Sequence, residues 1–254
     1  VRKQFGSTAA LDGVSFHVNP GEVFGLLGPN GAGKTTILRC FLGLARYTGS
    51  VQVGGVDPTR HGVQARRQIG YVPQELPIPP MTVDELTAYI ARLKHAPLVE
   101  GAARLDQLGL GPHGDKTVAA LSGGLRQRLA VALALIGSPP VLLLDEPTAN
   151  LDARGRADLI QLLKRLRLEG MTLVFSSHRP EDVLALADRV LLLDAGRVQD
   201  ELAPMAFMRT LGETSRMVLF LRNGHMPEAL SALTDFTVEA TADGRVLTVA
   251  VQPQ

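Results

Sequence analysis

One eight-residue run constrains this chain more than any other feature. It is Gly28-Pro29-Asn30-Gly31-Ala32-Gly33-Lys34-Thr35, which fits the pattern G-x-x-x-x-G-K-[ST]. It lies between a predicted strand, Glu22–Leu27, and a predicted helix, Lys34–Leu44. Such glycines let backbone N–H groups surround phosphate oxygens, and the helix N-terminus favours negative charge. The run therefore predicts a phosphate-binding loop rather than an ordinary glycine turn with a solvated lysine.

A second chemical pattern is the apolar run Val141–Leu144, which ends in Asp145 and Glu146. A continuous apolar run is typical of a buried parallel strand, and the carboxyl ends of such strands face the ligand crevice. We expect Asp145 to lie in a Mg²⁺ shell and Glu146 to polarise an attacking water. An acidic cap on an ordinary strand is the alternative, but the phosphate-binding loop favours the catalytic interpretation. In that loop, Lys34 is expected to reach the β- and γ-phosphates and Thr35 to bind Mg²⁺.

A third segment combines a possible helix cap with two glycines. Leu121–Arg128 reads LSGGLRQR and precedes an apolar stretch with helical character. Ser122 can cap this helix, and Gly123-Gly124 allows backbone amides to approach an anion. Local chemistry alone leaves two interpretations open, a simple helix cap and an anion-binding element.

Predicted strands and helices alternate, which favours an α/β fold with a largely parallel sheet. Thr82 and Glu85 form a predicted capping box for a helix to about Lys94, and residues 75–140 are predicted to be a mainly helical insertion. We expect one domain over residues 1–204 and a small extension over 205–254, with packing as its preferred role. The other predicted strands are Leu11–Val18, Ser50–Val56, Ile69–Val72, Met171–Ser176, Val190–Leu193, Arg197–Val198, Met217–Leu221, Phe236–Thr241 and Val246–Val251; the other predicted helices are Val99–Leu108, Asp152–Glu169, Glu181–Ala187 and Pro227–Leu233.

Composition excludes several other classes of protein. Lys and Arg number 26 against 25 Asp and Glu, and Trp is absent, so nothing favours a nucleic-acid partner. A single cysteine, Cys40, rules out an internal disulfide framework. No apolar run approaches the roughly 20 residues that span a bilayer, and no secretory signal is visible. We expect a soluble cytoplasmic protein, trimmed just before Val1 and continuing past Gln254.

These motifs, in this order, resemble the ATP-binding subunit of ATP-binding cassette (ABC) transporters. The resemblance covers about Val1–Glu201 and rests on the phosphate-binding loop, the signature segment Leu121–Gln127 and the strand Val141–Pro147. It implies a P-loop NTPase fold with a mainly parallel sheet, an antiparallel β subdomain, a helical insertion and a small α+β C-terminal extension. It also implies ATP and Mg²⁺ as cofactors.

The resemblance assigns further residues by position. Phe5 matches the aromatic residue that stacks on adenine, and its alternative role is that of a core aromatic. Gln74 matches a loop glutamine that contacts Mg²⁺ and water, and its alternative is an ordinary loop residue. His178 matches the switch histidine at the γ-phosphate, and its alternative is a structural histidine. Leu125 departs from the family, where many relatives have Gln. The implied nucleotide-binding set is Phe5, Gly28, Pro29, Asn30, Gly31, Ala32, Gly33, Lys34, Thr35, Thr36, Ser122, Gly123, Gly124, Gln127 and Asp152; the implied metal ligands are Thr35, Gln74 and Asp145; the implied catalytic residues are Lys34, Gln74, Glu146 and His178.

The family's mode of action follows from the resemblance. It implies two chains that face each other head to tail around two ATP molecules, with Asn150-Leu151-Asp152 communicating between the sites. It implies a separate membrane permease that contacts Glu75–Leu93 through Leu76, Ile78, Met81 or Tyr89, at the cytoplasmic face of the membrane. The short spacing from Gln74 to Ser122 resembles ABC-2-type exporters. The alternatives are a soluble ABC ATPase acting on ribosomes or in DNA repair, and a nucleotide-dependent regulatory module.

Overall fold

The computed structural model describes residues 1–6, 8–207, 215–220, 237–240 and 246–251. The chain divides into two compact units, Val1–Glu201 and Leu202–Gln254. The boundary predicted from the sequence lies three residues later, between residues 204 and 205. We keep the predicted boundary, with a domain over residues 1–204 and an extension over residues 205–254, as a proposal.

The first unit contains a small sheet and a large one. Strands β1 (Lys3–Phe5) and β2 (Thr8–Leu11) pair antiparallel. The large sheet has six strands in the order β4-β5-β6-β3-β7-β8. These strands are β3 (Val23–Leu27), β4 (Ile69–Val72), β5 (Val141–Leu144), β6 (Thr172–Ser177), β7 (Arg189–Asp194) and β8 (Arg197–Leu202).

The parallel pairing of the large sheet brings the chemical motifs to one edge. The pairs β4–β5, β5–β6, β6–β3 and β3–β7 are all parallel. All residues of β3 and β6 are buried, as expected of parallel strands covered on both faces. Because parallel strands share a direction, the residues after Leu27, Val72, Leu144 and Ser177 emerge at the same edge.

Seven α-helices surround this sheet or extend from it in the described part of the chain. They are α1 (Lys34–Phe41), α2 (Gly62–Arg67), α3 (Val83–Leu93), α4 (Leu98–Gln107), α5 (Gly123–Leu135), α6 (Ala153–Leu168) and α7 (Pro180–Leu186). Two short 3₁₀ helices lie at Gly111–His113 and Val118–Ala120. Among the described helices, none has the length and apolar character needed to cross a bilayer.

Side-chain caps fix three helix starts where the sequence predicted them. Thr82 Oγ1 accepts a hydrogen bond from Glu85 N at 3.2 Å, and Thr82 N donates to Glu85 Oε2 at 2.8 Å, which confirms the capping box of α3. Ser122 caps α5 and Asp152 caps α6. The helical insertion therefore begins with α3 and ends with α5, between β4 and β5.

Two strand predictions in the first unit are wrong. The predicted strand Leu11–Val18 loses its ladder after Leu11, where β2 ends. The predicted strand Ser50–Val56 contains only a bridge between Val53 and Val56, which closes over the turn at Gly54-Gly55. In the first case alternating burial imitates a strand, because Val14 is buried and Phe16 stacks on Phe24 at 5.1 Å although the backbone pairs with no neighbouring strand.

The second unit contains three described strands. They are β9 (Ser215–Phe220), β10 (Thr237–Ala240) and β11 (Val246–Val251), paired antiparallel in the order β10-β11-β9. The three strands that the sequence predicted here agree with them to within one or two residues. The predicted helix Pro227–Leu233 lies outside the described residues.

Candidate nucleotide-binding site

The loop between β3 and α1 has a conformation that only glycine permits at two positions. A Cβ on Gly28 would lie 2.2 Å from the carbonyl oxygen of Leu193, which is far closer than atoms can approach. Gly33 has a φ of 103°, and a Cβ there would lie 2.7 Å from Ala10 O. The neighbouring strands thus hold the loop tightly against the sheet edge.

Lys34, the first residue of α1, places its ammonium group at the mouth of this loop. The side chain is 6% exposed, and Nζ donates hydrogen bonds to Gly28 O at 2.6 Å and Pro29 O at 3.1 Å. The same Nζ lies 3.2 Å from Glu146 Oε1. The predicted phosphate ligand and the predicted catalytic carboxylate are therefore in direct contact.

A cluster of oxygen atoms lies beside the lysine. Thr35 Oγ1 donates to Asp145 Oδ1 at 3.0 Å, and Ser176 Oγ donates to the same oxygen at 2.7 Å. Asp145 is buried, and burial together with this carboxylate raises the pKa of the neighbouring Tyr71. The carboxylate thus keeps its position through two hydroxyl donors that arrive from α1 and β6.

These donors fit a hard divalent cation. In the part of the chain that the structure describes, no three His, Cys, Asp or Glu side chains converge as a metal cage. The Thr35 hydroxyl and the Asp145 carboxylate would hold a cation here together with phosphate oxygens, and Gln74 is the further ligand that the sequence predicted. Mg²⁺ is bound in that manner in phosphate-binding enzymes, whereas Ca²⁺ takes more protein oxygens.

Glu146 has an unusual backbone conformation and two different carboxylate oxygens. Its φ is 47°, which non-glycine residues adopt rarely, and its N–H donates to Ser176 Oγ at 2.8 Å. Oε2 lies 2.8 Å from His178 Nδ1. Oε1 has no hydrogen-bond partner among the described residues, apart from its contact with the Lys34 ammonium. One oxygen is thus held by the histidine, and the other is directed toward the phosphate-binding loop.

Gln74 and Gln127 line a crevice of about 350 Å³ that reaches Glu146. Gln74 follows β4 by two residues, and Gln127 lies on the second turn of α5. The amide nitrogen of Gln127 is buried and has no hydrogen-bond partner in the described chain. The structure therefore brings both predicted glutamines to the same crevice as Glu146, the predicted catalytic carboxylate.

The signature segment lines a second cavity of about 590 Å³, which shares Gly123, Asn150 and Leu151 with the crevice at Glu146. Ser122, Gly123, Gly124 and Asn150–Asp152 contribute to its lining, and no residue of the loop Gly28–Thr35 does. Ser122 and Asp152 are both helix caps, because Leu125 N donates to Ser122 Oγ at 3.3 Å and Gly155 N to Asp152 Oδ1 at 2.8 Å. The signature segment and the phosphate-binding loop therefore do not share this cavity.

Phe5 lies on β1 with 53% of the residue exposed, so the alternative interpretation as a core aromatic does not hold. The ammonium of Lys3 lies 4.4 Å from the centre of its ring. The ring thus presents an accessible aromatic surface, which is what stacking on a base requires.

Sequence reasoning missed two residues of this site. Ser176 contacts both Asp145 and the N–H of Glu146, and Asp182 contacts Thr148, which follows β5, and Ser177, the last residue of β6. The available signal was the polar pair Ser176-Ser177 at the end of an otherwise apolar strand, directly before His178. Asp182 had no such signal, because an acidic residue in the first turn of a helix is ordinary.

Comparison with known proteins adds independent evidence. The family model described as "ABC transporter" matches residues 11–149. The sulfate/thiosulfate import ATP-binding protein of Bordetella parapertussis is 44% identical over 213 residues, covering 80% of this chain and 60% of that protein. The Nod factor export ATP-binding protein I of Paraburkholderia xenovorans is 39% identical over 220 residues, covering 82% of this chain and 70% of that protein.

A solved structure shows the same fold. A dimeric bacterial ABC transporter cassette matches with a TM-score of 0.73 at 28% identity, covering 80% of this chain and 96% of that chain. This chain spans about three fifths of the length of the sulfate/thiosulfate relative. The family model matches more than half of the chain, and the Paraburkholderia relative is 39% identical over 82% of it, so the chain belongs to the ABC transporter family.

Proposed function

We propose that the protein is the ATP-binding and ATP-hydrolysing subunit of an ABC transporter. In this proposal two copies dimerise around two ATP molecules and drive a separate membrane permease. The observation that carries it is the continuous contact from Lys34 Nζ through the Glu146 carboxylate to His178 Nδ1, with distances of 3.2 and 2.8 Å, beside a phosphate-binding loop.

When ATP binds, its phosphate oxygens replace protein atoms as the hydrogen-bond partners of the phosphate-binding loop. The backbone N–H groups of Gly28–Thr35 bind the phosphates, and Lys34 exchanges its carbonyl contacts for β- and γ-phosphate oxygens. Thr35, Asp145 and Gln74 would hold Mg²⁺, which would neutralise charge on the phosphates. The exposed ring of Phe5 would stack on adenine.

Hydrolysis then depends on the two carboxylate oxygens of Glu146. The oxygen nearest the loop orients a water molecule and accepts its proton, while the water oxygen bonds to the γ-phosphorus and the bond to the ADP oxygen breaks. His178 holds the other oxygen through Nδ1, which leaves Nε2 available to the γ-phosphate. Positioning and charge stabilisation therefore carry most of the catalysis.

Dimerisation supplies the second anion-binding element. Because no residue of the phosphate-binding loop lines the cavity of the signature segment, we assign Ser122, Gly123 and Gly124 to the ATP held by the partner's loop. Gln127 supports that segment from the crevice next to Glu146. Asp152, at the start of α6, would communicate between the two sites. ATP then acts as a component of the dimer interface, so its hydrolysis reopens the pair.

The permease would contact Glu75–Leu93, the stretch that leads into and includes α3. Ile78 is 50% exposed, Tyr89 52% and Leu93 64%, an unusual density of exposed large apolar side chains. Leu93 also lines a groove of about 680 Å³ together with Val63 of α2. We place the protein at the cytoplasmic face of the membrane, bound peripherally through this surface.

The proposed direction is export, through an ABC-2-type permease. The two relatives named above comprise an import protein and an export protein, so the proposal rests on the short spacing between Gln74 and Ser122. For residues 205–254 we propose a packing role.

A phosphate-release assay on Glu146→Gln tests the catalytic part of this proposal. We expect turnover to fall by at least about 100-fold, because the amide cannot accept the proton of the attacking water. ATP binding should persist, and the ATP-bound variant should elute as a dimer in size-exclusion chromatography. Glu169→Gln, at the exposed end of α6, is the matched control and should keep wild-type turnover. Wild-type turnover in Glu146→Gln would contradict the role of this carboxylate.

Two other functions remain as alternatives. A soluble ABC ATPase would share the ATPase chemistry, and a regulatory module without transport would share the nucleotide site. Affinity purification from gently solubilised native membranes separates them. A polytopic membrane protein recovered in near-equal amount supports the transporter. Recovery only from the soluble fraction, together with ribosomes or repair proteins, supports the soluble ATPase, and absence of phosphate release supports the regulatory module.

A further inference from the structure

A buried carboxylate lies behind the catalytic side chains. Asp182, on the first turn of α7, is 2% exposed. Its Oδ2 accepts hydrogen bonds from Thr148 Oγ1 at 2.5 Å and from Ser177 Oγ at 3.1 Å. Its Oδ1 accepts one from Arg156 Nε at 2.5 Å. A carboxylate removed from water in this way needs several donors, and Asp182 has three.

The three donors come from three segments that surround the nucleotide site. Thr148 follows Glu146 by two residues, in the segment that leads from β5 to α6. Ser177 is the last residue of β6 and directly precedes His178. Arg156 lies in the first turn of α6, just after the cap Asp152. One side chain thus joins the glutamate segment, the histidine segment and the helix that starts beside the signature cavity.

The Glu146–His178 contact requires such a connection. The two residues lie on different strand ends, and Glu146 has a backbone conformation that its surroundings must hold. Ser176 holds this backbone at one point, through its hydrogen bond to Glu146 N. Asp182 provides the second link, because it binds one residue on the glutamate side and one on the histidine side of the pair.

We propose that Asp182 is a positioning residue that keeps Glu146 and His178 in register and links them to the start of α6. The proposal rests on the proposed function, since it concerns the same site. Asp182 is part of neither the phosphate-binding loop nor the signature segment, so its effect on hydrolysis is indirect. A displacement of α6 would therefore reach Thr148 and Ser177 through the carboxylate that they share with Arg156.

The test compares two Asp→Asn substitutions. Asp182→Asn keeps the size of the side chain but loses the charge and one acceptor oxygen. We expect kcat to fall about tenfold, with KM for ATP within about twofold of wild type, because Lys34 and its loop are untouched. Turnover is expressed per nucleotide site, counted by equilibrium binding of a non-hydrolysable ATP analogue, so unfolded protein does not contribute.

Asp188→Asn is the matched control. Asp188 also joins distant parts of the fold, since it accepts a hydrogen bond from Val23 N at 2.9 Å and pairs with Arg167. It contacts neither the Glu146 segment nor the His178 segment. We expect it to lower the melting temperature without changing kcat per site. An equal fall of kcat in both variants, or a loss that appears in KM alone, would overturn the positioning role.

A second variant keeps the proposal testable if Asp182→Asn does not fold. Thr148→Val removes one hydrogen bond but leaves the pairing of Asp182 with Arg156 intact, and we expect kcat per site to fall roughly threefold or more. Where both variants fold, the double variant should lose no more than Asp182→Asn alone, because the two side chains act through one contact. An unchanged kcat in Thr148→Val, or fully independent losses, would overturn the proposal. Phosphate release by the wild type but not by Glu146→Gln would leave the proposed function intact in either case.

Discussion

At the scale of single residues, Lys34 shows how the site exchanges partners. Its ammonium is held by two loop carbonyls and by Glu146, all of which compete with phosphate oxygens for the same three N–H groups. Phosphates carry more charge than carbonyls, so the lysine favours ATP. We expect Lys34→Ala to weaken ATP binding at least about tenfold, measured by titration with a fluorescent nucleotide. Lys164→Ala, exposed on α6, is the control, and unchanged affinity in Lys34→Ala would contradict this assignment.

The only cysteine has a pKa that makes it unreactive. Burial raises the pKa of Cys40 to about 11, against partial compensation by Lys3 and the N-terminus. At pH 8 the thiolate is then about one part in a thousand of the total, and only the thiolate attacks disulfide reagents. We expect native protein to react slowly with Ellman's reagent and guanidinium-unfolded protein to react rapidly with one equivalent. Equally rapid labelling of both states would show that Cys40 is accessible.

The role of a residue could be predicted from the sequence where that residue belongs to a short local motif. Lys34 and Glu146 belong to short motifs with a fixed strand context, and the structure places them in contact. Ser176 and Asp182 belong to no such motif, because Ser176 binds Glu146 at a distance of 30 positions in the chain, and Asp182 binds Thr148 at 34 and Arg156 at 26. These residues reach their partners because of the order of the strands in the sheet, and that order cannot be inferred from one sequence alone.

At the scale of elements, one lysine joins two helices of the insertion. Lys94, the C-cap of α3, donates to Leu133 O at 3.0 Å, Ala134 O at 2.9 Å and Ile136 O at 2.8 Å. These carbonyls end α5 and are otherwise left without helical partners. The contact fixes the end of α5 directly before β5 begins.

We expect Lys94→Met to destabilise the protein by about 1–2 kcal/mol, because it keeps the aliphatic stem and removes three hydrogen bonds to a helix end. Urea unfolding followed by circular dichroism measures this difference. Arg92→Met, two residues earlier and exposed, is the matched control and should change stability by less than about 0.5 kcal/mol. Equal stability of the two variants would show that water satisfies these carbonyls without Lys94.

Elements were predictable where burial and backbone pairing agree. The strands β4 and β5 have the predicted bounds because each is a short apolar run that pairs along its whole length. The predicted strand Leu11–Val18 alternates in burial but pairs only to Leu11, so its pattern reports packing rather than a ladder. Helix α2 was missed because only Ala65 is buried, which leaves no apolar periodicity to detect.

At the scale of the whole molecule, the signature segment lines a cavity to which the phosphate-binding loop of the same chain contributes no residue, so it must be asked which chain completes each site. According to the proposed function, every ATP lies between the phosphate-binding loop of one copy and the signature segment of the other. Gly124 allows a direct test. A Cβ there would meet no atom within 4 Å, and its place in the first turn of α5 suits an acidic residue. Gly124→Asp should therefore fold normally while its carboxylate repels the phosphates of the partner's ATP.

Mixing two inactive variants then distinguishes shared sites from sites within one chain. Homodimers of Lys34→Ala, or of Gly124→Asp, would have one defect in every site and should release little phosphate. In a mixed dimer, the intact loop of the Gly124→Asp chain and the intact signature segment of the Lys34→Ala chain form one functional site. The other site contains both substitutions. Random exchange of chains should restore about one quarter of wild-type phosphate release, since half of the dimers regain one of two sites. If loop and signature of the same chain formed the site, no mixture would regain activity, whatever the ratio of the two variants.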